Sequence, residues 1–191
     1  MGREFELKYL ADPEKISLIQ EKYGPFSTIS METTYYDTPD LKLAMHHWTL
    51  RRRMENGTSV CTFKKPLEDG SRGEWEVQCE SIMQAVMQLC QAGAPWELMR
   101  ATAGGLIQTC GARFTRLAAT LELPECTVEL ALDEGVLMGA GREQPFAEVE
   151  VELKKGDEAA AVAFARLLAK EYGLVNEPRS KFVRAMALAM Q

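Results

Sequence analysis

The sequence has few of the residues that build disulfide frameworks and zinc sites. Its five cysteines are scattered, odd in number and without a Cys-x-x-Cys pair, and its only histidines are the adjacent His46 and His47. Scattered cysteines argue against both a disulfide scaffold and a cysteine-ligated metal. Adjacent histidines point in different directions and have no third ligand spaced nearby, so we expect them to be loop residues.

Long apolar runs and an excess of positive charge are also missing. No segment approaches the roughly 20 apolar residues that cross a bilayer, and Arg3, Glu4, Glu6 and Lys8 interrupt any signal-peptide core. These features predict a cytoplasmic protein with no membrane association. The net charge of −6 disfavours a general nucleic-acid-binding surface but leaves room for a local basic cluster.

The remaining composition is typical of one globular domain. The 191 residues are 46% hydrophobic and 26% charged, enough to enclose one sizeable core. Because no internal repeat, low-complexity tract or linker marks a boundary, we expect a single domain covering residues 1–191. The sequence leaves the oligomeric state open, a homodimer included.

Charged and apolar side chains alternate along the first predicted strand, Glu4-Phe5-Glu6-Leu7-Lys8. Successive side chains of a strand point to opposite faces, so the two glutamates and Lys8 share one face while Phe5 and Leu7 share the other. Glu4 and Glu6 would lie roughly 6.6 Å apart, close enough to contact one hard divalent cation. Taken alone, the segment is also explained by an ordinary half-buried strand with its polar face in water.

Further strands are predicted at residues 26–37, 48–55, 59–65 and 72–80 and in a meander over residues 106–155. The same division recurs at 48–55, 59–65 and 72–80 and in the last strand of the meander, residues 148–153. Turns of the meander are predicted at residues 123–125, 133–135 and 139–141. Helices are predicted at residues 12–23, 81–91, 95–102, 159–172 and 180–190, with a short helical turn at 39–46. Acidic strand faces carry Glu4, Glu6, Glu74, Glu76, Glu148, Glu150 and Glu152, whereas basic faces carry Arg51, Arg53 and Lys64.

Segregation of charge by strand is unusual for a sheet that faces water, where both signs normally mix. About eight strands with helices at intervals favour an α+β fold built on a closed eight-stranded antiparallel β-barrel. The helices would pack outside, on Phe5, Leu7, Leu50, Phe63, Trp75, Val149 and Val151. Burying unpaired charge costs several kcal/mol per group, so the charged lumen should be wet and hold a polyanion and divalent cations.

An ordered series of short motifs, spanning nearly the whole chain, resembles the CYTH superfamily, the triphosphate tunnel metalloenzymes that include thiamine triphosphatase-like proteins. Glu4-x-Glu6-x-Lys8 is similar to the ExExK signature of that family. The further motifs are Tyr35-Tyr36-Asp37-Thr38-Pro39-Asp40, Leu50-Arg51-Arg52-Arg53, Thr62-Phe63-Lys64, Glu74-Trp75-Glu76, Phe114-Thr115-Arg116, Glu148-Val149-Glu150-Val151-Glu152 and Ser180-Lys181-Phe182. Each motif is short, but the ordered set is specific.

The resemblance implies a tunnel that binds a small-molecule triphosphate with Mg²⁺ or Mn²⁺ and acts on a phosphoanhydride bond. It implies four metal ligands, Glu4, Glu6, Glu150 and Glu152, and five triphosphate-binding bases, Arg51, Arg53, Lys64, Arg116 and Lys181. Lys8 would face the same lumen between metal and phosphates, and Glu74, Glu76 or Glu150 could orient the attacking water. These assignments agree with the oxygen ligands that Mg²⁺ prefers and with the affinity of guanidinium groups for phosphate.

Two assignments stay ambiguous at the level of sequence. Glu74 and Glu76 are equally well explained as structural partners of Arg51 and Arg53. Arg113 and Arg116 are separated by an odd spacing and so lie on opposite faces of a regular strand. The family pattern favours Arg116, and we expect Arg113 on the surface.

The function that the resemblance implies is a metal-dependent triphosphatase acting on inorganic triphosphate or a related organic triphosphate. A class IV-type adenylate cyclase, which converts ATP to cyclic AMP and pyrophosphate, and a thiamine triphosphatase are the alternatives. No clear adenine pocket is recognisable in the sequence. A polyphosphate-binding protein without catalysis is disfavoured, since binding alone would not need so many carboxylates around an anion.

Overall fold

One long antiparallel sheet organises the computed structural model, which describes residues 5–68 and 72–191. Its strands in these ranges are β1 (Glu6–Leu10), β2 (Ser27–Asp37), β3 (Thr49–Glu55), β4 (Thr58–Pro66), β5 (Arg72–Gln78), β6 (Ile107–Glu122), β7 (Cys126–Gly139), β8 (Arg142–Gly156) and β9 (Val175–Asn176). The helices are α1 (Pro13–Tyr23), α2 (Lys42–Met45), α3 (Ile82–Gln91), α4 (Glu97–Thr102), α5 (Glu158–Tyr172) and α6 (Lys181–Ala189). Among the described helices, none is both long and apolar enough to span a membrane.

Short polar side chains fix where four helices begin. Asp12, Ser81, Asp157 and Ser180 each precede a helix and accept a hydrogen bond from a backbone N–H of its first turn. Gly173 then ends α5 in a left-handed conformation. The helix bounds predicted from the sequence are confirmed to within a few residues.

The predicted closed eight-stranded barrel is confirmed only as an α+β fold with a large antiparallel sheet. Hydrogen bonds join the described strands in one open row, β5-β4-β3-β2-β6-β7-β8-β1-β9. The row is nevertheless strongly curved, because side chains of β1 and of β5, near its two ends, line a single cavity. We call the side of the sheet that faces this cavity the concave face.

The turn predicted at residues 133–135 is wrong, because β7 runs through it. Asp133 pairs with Arg116 of β6 on one side and with Glu148 of β8 on the other. A Cβ at Gly135 would lie 2.2 Å from the backbone oxygen of Arg113. The glycine therefore marks a close approach between two strands rather than a turn.

Two apolar clusters on the convex side confirm the outward packing of most helices. Helices α1 and α5 cover the β1, β7 and β8 side, with a core that includes Ile16, Ile19, Leu130, Val149, Val151 and Leu168. Helices α3 and α4 cover the β3, β4 and β5 side, with a core that includes Leu50, Phe63, Trp75, Leu89 and Leu98.

Helix α6 contradicts the expectation that the helices pack outside, because it lies on the concave face. Its apolar residues pack in one cluster with Met31, Tyr35, Phe114, Leu137 and Phe146. The same helix carries Lys181 and Arg184, which both contact carboxylates of the concave face. An amphipathic helix with two buried cations can satisfy its charges only there, so α6 fills part of the space that the prediction left to solvent.

Candidate active site

Seven basic side chains of the described residues converge on one cavity of about 300 Å³ on the concave face. They are Lys8 of β1, Arg51 and Arg53 of β3, Lys64 of β4, Arg72 of β5, Arg116 of β6 and Lys181 of α6. Strand alternation explains the convergence, because side chains two residues apart share a face and the curved sheet turns that face inward. All five predicted triphosphate-binding residues and Lys8 line this cavity, together with Glu6 and Glu150.

Arg53 is held by a threonine of the neighbouring strand β2 and by a glutamate of its own strand. Arg53 donates from Nε to Thr33 Oγ1 at 3.2 Å and from Nη1 to Glu55 at 3.3 Å. Burial, together with the positive charge of Arg51, lowers the pKa of Arg53. Two cations crowded in a partly buried wall repel each other, and an anion in the cavity would relieve that repulsion.

Glu74 and Glu76 lie beside these bases and pair with them. Arg51 Nη2 is 3.8 Å from Glu74 and 3.9 Å from Glu76, and Lys64 Nζ is 3.1 Å from Glu74. Glu76 also accepts a hydrogen bond from Thr62 Oγ1 at 2.9 Å. These contacts favour the alternative in which both glutamates hold basic side chains in place.

A buried charge cluster closes the deep end of the cavity, with three carboxylates and three cations. Lys181 Nζ lies 2.6 Å from Asp133 and 2.8 Å from Glu150, and it also contacts Glu148. Arg116 donates two 2.7 Å hydrogen bonds to Asp133 and contacts Glu150, while Arg184 contacts Glu148. The members of this cluster are Asp133, Glu148, Glu150, Arg116, Lys181 and Arg184, whose charges balance.

The cluster fixes the protonation of its central pair. Burial alone would raise the pKa of Glu150, but Lys181 and Arg116 outweigh it and hold that pKa well below its usual range. Burial alone would lower the pKa of Lys181, but the negative charges of Glu150, Asp133 and Glu148 raise it. Glu150 is therefore an anion and Lys181 a cation near neutral pH.

Two sets of carboxylates have the chemistry of a metal site. Within the described residues, ligand oxygens of Asp133, Glu148 and Glu150 lie within 4.8 Å of one another, although three cations already neutralise them. The second set is a cross-strand row in which Glu6 pairs with Glu152, and Glu152 pairs with Glu129. Lys154 lies 2.7 Å from Glu152 and 3.7 Å from Glu129, so these two carboxylates share one lysine.

The four predicted metal ligands differ in where they lie relative to the cavity. Glu6 and Glu150 line the cavity, Glu152 stands opposite Glu6 on the neighbouring strand, and Glu4 falls outside the described residues. Hard carboxylate oxygens on adjacent strands fit the ligand preference of Mg²⁺ and Mn²⁺. The donor set is therefore compatible with either ion.

Four residues of the site were missed by sequence reasoning. Asp133 was assigned to a turn, and Arg184 to a helix expected outside the barrel. Glu129 belongs to none of the motifs. Its even spacing from Asp133 puts both carboxylates on the same face of a strand, and this was the signal that could have identified the two residues. Arg72 begins the strand predicted at residues 72–80 but was not assigned to the site. Arg113 lies on the surface as expected, 60% exposed and 3.2 Å from Glu143.

Comparison with known proteins gives a family match over nearly the whole chain. The family model described as the CYTH domain matches residues 2–186. The inorganic triphosphatase of Haemophilus influenzae is 25% identical over 195 residues, which cover 98% of this chain and 55% of that protein. The chain thus spans about half the length of the curated relative it matches.

Solved structures share the fold across organisms. A Hippeastrum protein described as having a dominant triphosphatase activity aligns with a TM-score of 0.71 and 21% identity, covering 96% of this chain and 95% of that one. PH1819 of Pyrococcus horikoshii aligns with a TM-score of 0.64 and 22% identity, covering 98% and 99%. A candidate adenylate cyclase of Bacillus halodurans aligns with a TM-score of 0.62 and 20% identity, covering 94% and 96%. At these identities the likeness shows the fold alone.

Proposed function

The chain belongs to the CYTH domain family, and we propose that it is a divalent-metal-dependent hydrolase of the phosphoanhydride bond of inorganic triphosphate or a related organic triphosphate. The observation that carries this proposal is the cavity in which seven basic side chains, counted over the described part of the chain, converge beside carboxylates of β1 and β8. A linear triphosphate concentrates several negative charges on a small body, which is the ligand such a lining suits. The triphosphatase activities named for the Haemophilus influenzae and Hippeastrum proteins support the same assignment.

In this proposal the five predicted bases hold the phosphate chain. Arg51 and Lys64 are oriented by Glu74, and Arg53 by Thr33, so the donors are in place before the ligand arrives. Pre-positioned donors cost little reorganisation when charge develops on the leaving polyphosphate. We infer that the curved sheet wraps around the bound chain as a tunnel, since both ends of its strand row contribute to the cavity.

Glu6, Glu150 and Glu152, together with Glu4, would hold Mg²⁺ or Mn²⁺. A bound divalent cation neutralises phosphate oxygens and lowers the pKa of a coordinated water. Glu129 stands beside Glu152 on β7 and adds negative charge to the same row. Lys8 pairs across the strands with Glu150 and lines the cavity. In this proposal its ammonium group would lie between the carboxylates and the phosphate.

Hydrolysis needs a water molecule positioned in line with the bond that breaks. Glu6 and Glu150 both line the described cavity wall. We assign the acceptor of a hydrogen bond from that water to Glu150, which Lys181 and Arg116 hold as an anion by lowering its pKa. Glu74 and Glu76 act on the other side, as positioning residues for the bases that stabilise the leaving pyrophosphate. Transfer of the terminal phosphoryl group to water releases orthophosphate and pyrophosphate.

The experiment that tests this proposal is product analysis of the purified protein. Inorganic triphosphate, ATP and thiamine triphosphate are offered in parallel, first with Mg²⁺ and then with Mn²⁺. Orthophosphate and pyrophosphate from inorganic triphosphate, or orthophosphate from an organic triphosphate, are the expected products. Formation of cyclic AMP and pyrophosphate from ATP would instead support the adenylate cyclase alternative. Binding of triphosphate without turnover of any substrate would indicate a triphosphate-binding protein without catalysis.

A further inference from the structure

Arg72 lies at the outer end of the cavity and is engaged differently from the other bases. It begins β5, its side chain is exposed, and its Nη2 lies 3.5 Å from Thr49 Oγ1 of β3. Both residues line the cavity. Within the described ranges Arg72 takes part in no ion pair, whereas Arg116 and Lys181 are each bound to carboxylates. Among residues 5–68 and 72–191, no carboxylate would have to be displaced for a ligand to reach the Arg72 guanidinium.

The basic side chains of the cavity differ in exposure, and the least exposed of them lie next to Glu150. The side chain of Lys181 is 8% exposed and that of Arg116 13%, next to the buried Glu150. The side chain of Lys64 is 18% exposed, and Arg72 is on the surface. A linear anion whose reacting end lies at Glu150 would therefore extend its other end towards Arg72.

We propose that Arg72, assisted by Thr49, binds the end of the substrate farthest from Glu150 and makes the site select inorganic triphosphate over organic triphosphate esters. The inference rests on the proposed function and adds the substrate class. The far phosphate of inorganic triphosphate keeps an ionisable oxygen that esterification removes in ATP and thiamine triphosphate. Arg72 can bind that terminal phosphate through two charge-assisted hydrogen bonds. The extra negative charge on the unesterified phosphate strengthens these bonds, and an esterified phosphate lacks that charge.

The aromatic side chains near the cavity agree with this selectivity. Of the described lining residues, the aromatic ones are Tyr35 and Phe182, whose ring centroids are 5.0 Å apart in the apolar cluster around α6. Trp48 packs against Phe63 in the convex cluster, with ring centroids 5.4 Å apart. A nucleobase or thiazole ring placed beside Arg72 would therefore contact the Arg72 guanidinium and the Thr49 hydroxyl. The described cavity wall offers no aromatic ring at that position for it to stack on.

Steady-state kinetics on Arg72→Ala, Arg72→Lys and the surface control Arg113→Ala test the proposal. For Arg72→Ala we expect kcat/KM with inorganic triphosphate to fall about tenfold or more, mainly through KM, while kcat/KM with ATP changes less than about threefold. Arg72→Lys should recover part of the loss, since it keeps the charge without the paired donors. Arg113→Ala should match wild type. An equal loss with both substrates, or an unchanged rate with triphosphate, would overturn the inference.

Calorimetric binding separates this inference from the proposed function. Inorganic triphosphate and ATP are titrated without divalent metal into wild type and Arg72→Ala. In one outcome, wild type hydrolyses neither compound but binds triphosphate more tightly than ATP, and Arg72→Ala binds the two equally. The hydrolase proposal then fails and the role of Arg72 stands. If wild type hydrolyses triphosphate and Arg72→Ala keeps the full preference in binding and in kcat/KM, only the role of Arg72 fails. Equal binding of the two compounds by wild type, with equal kcat/KM, also refutes the selectivity.

Discussion

Replacing Lys181 with methionine should strongly destabilise the fold, because it unbalances the buried charge cluster. Lys181 is 8% exposed and contacts three carboxylates, two of which are at least 99% buried. Burial raises the pKa of Glu148, and Lys181 is the main cation that opposes this rise. With all six groups of the cluster ionised, their charges balance, so the substitution leaves one buried negative charge uncompensated. Removing one partner of a buried ion pair costs about 3–5 kcal/mol. For a chain of this length, that corresponds to a fall in Tm of roughly 6–20 °C.

A second substitution tests whether charge balance is the cause. Adding Glu148→Gln to Lys181→Met restores equal numbers of charges, and the glutamine oxygen can still accept a hydrogen bond from Arg184. We expect the double variant to recover about 1–2 kcal/mol relative to the single one. Urea unfolding without metal or triphosphate measures both free energies, and Lys155→Met, at an exposed lysine, should stay within about 0.5 kcal/mol of wild type. A Lys181→Met variant within about 1 kcal/mol of wild type, or a double variant no more stable than the single one, would refute the reasoning.

Three further predictions concern the site, a close strand contact and an acidic residue near α6. Arg53→Ala should lower kcat for triphosphate hydrolysis about 10²- to 10³-fold with an unchanged circular dichroism spectrum, since it removes a cavity donor rather than a core side chain; full activity or an unfolded spectrum would contradict its placement. Gly135→Ala should lower the free energy of unfolding in urea by about 1–3 kcal/mol, because the added Cβ would lie 2.2 Å from a backbone oxygen. The control Gly104→Ala, whose Cβ would have no atom within 4 Å, should be close to neutral. Equal stabilities of the two variants would disprove the close approach. Hydrogen bonds from Arg179 lower the pKa of Glu177 from 4.5 to about 2, so their stabilisation is complete above pH 4.5 and lost as the pH falls through about 2. Glu177→Gln should therefore cost about 1–2 kcal/mol at pH 7 after allowance for the exposed Arg179, and the difference from wild type should vanish only below about pH 2. A difference that does not change with pH would rule out this ion pair as its cause.

Much of the local structure followed from the sequence, because strand alternation and helix capping depend on residues close together in the chain. Asp12 and Ser180 marked the start of α1 and α6, and the two-residue spacing of Arg51 and Arg53 placed both on one face. The ordered motifs identified the family, since residues at fixed spacings survive as a pattern even where overall identity is low. The five basic residues predicted to bind triphosphate do lie around one cavity.

Long-range contacts decided the rest of the candidate site. The sequence through Asp133 and Gly135 was typical of a turn, but pairing with β6 and β8 makes it the middle of a strand and brings Asp133 to Arg116. The packing of α6 on the concave face could not be predicted from the local sequence either. Its two cations pair with carboxylates of β7 and β8, which lie roughly 30 to 50 residues earlier in the chain.

The sequence by itself determined which side chains share a face of each strand, where the helices begin and which family the motifs belong to. Only the tertiary structure decided which faces meet: Lys181 and Arg184 against Asp133 and Glu148, and Arg72 at the cavity rim beside Thr49. The physical reason is that periodicity constrains the direction of a side chain, whereas strand register, sheet curvature and the docking of α6 depend on contacts between segments far apart in the chain.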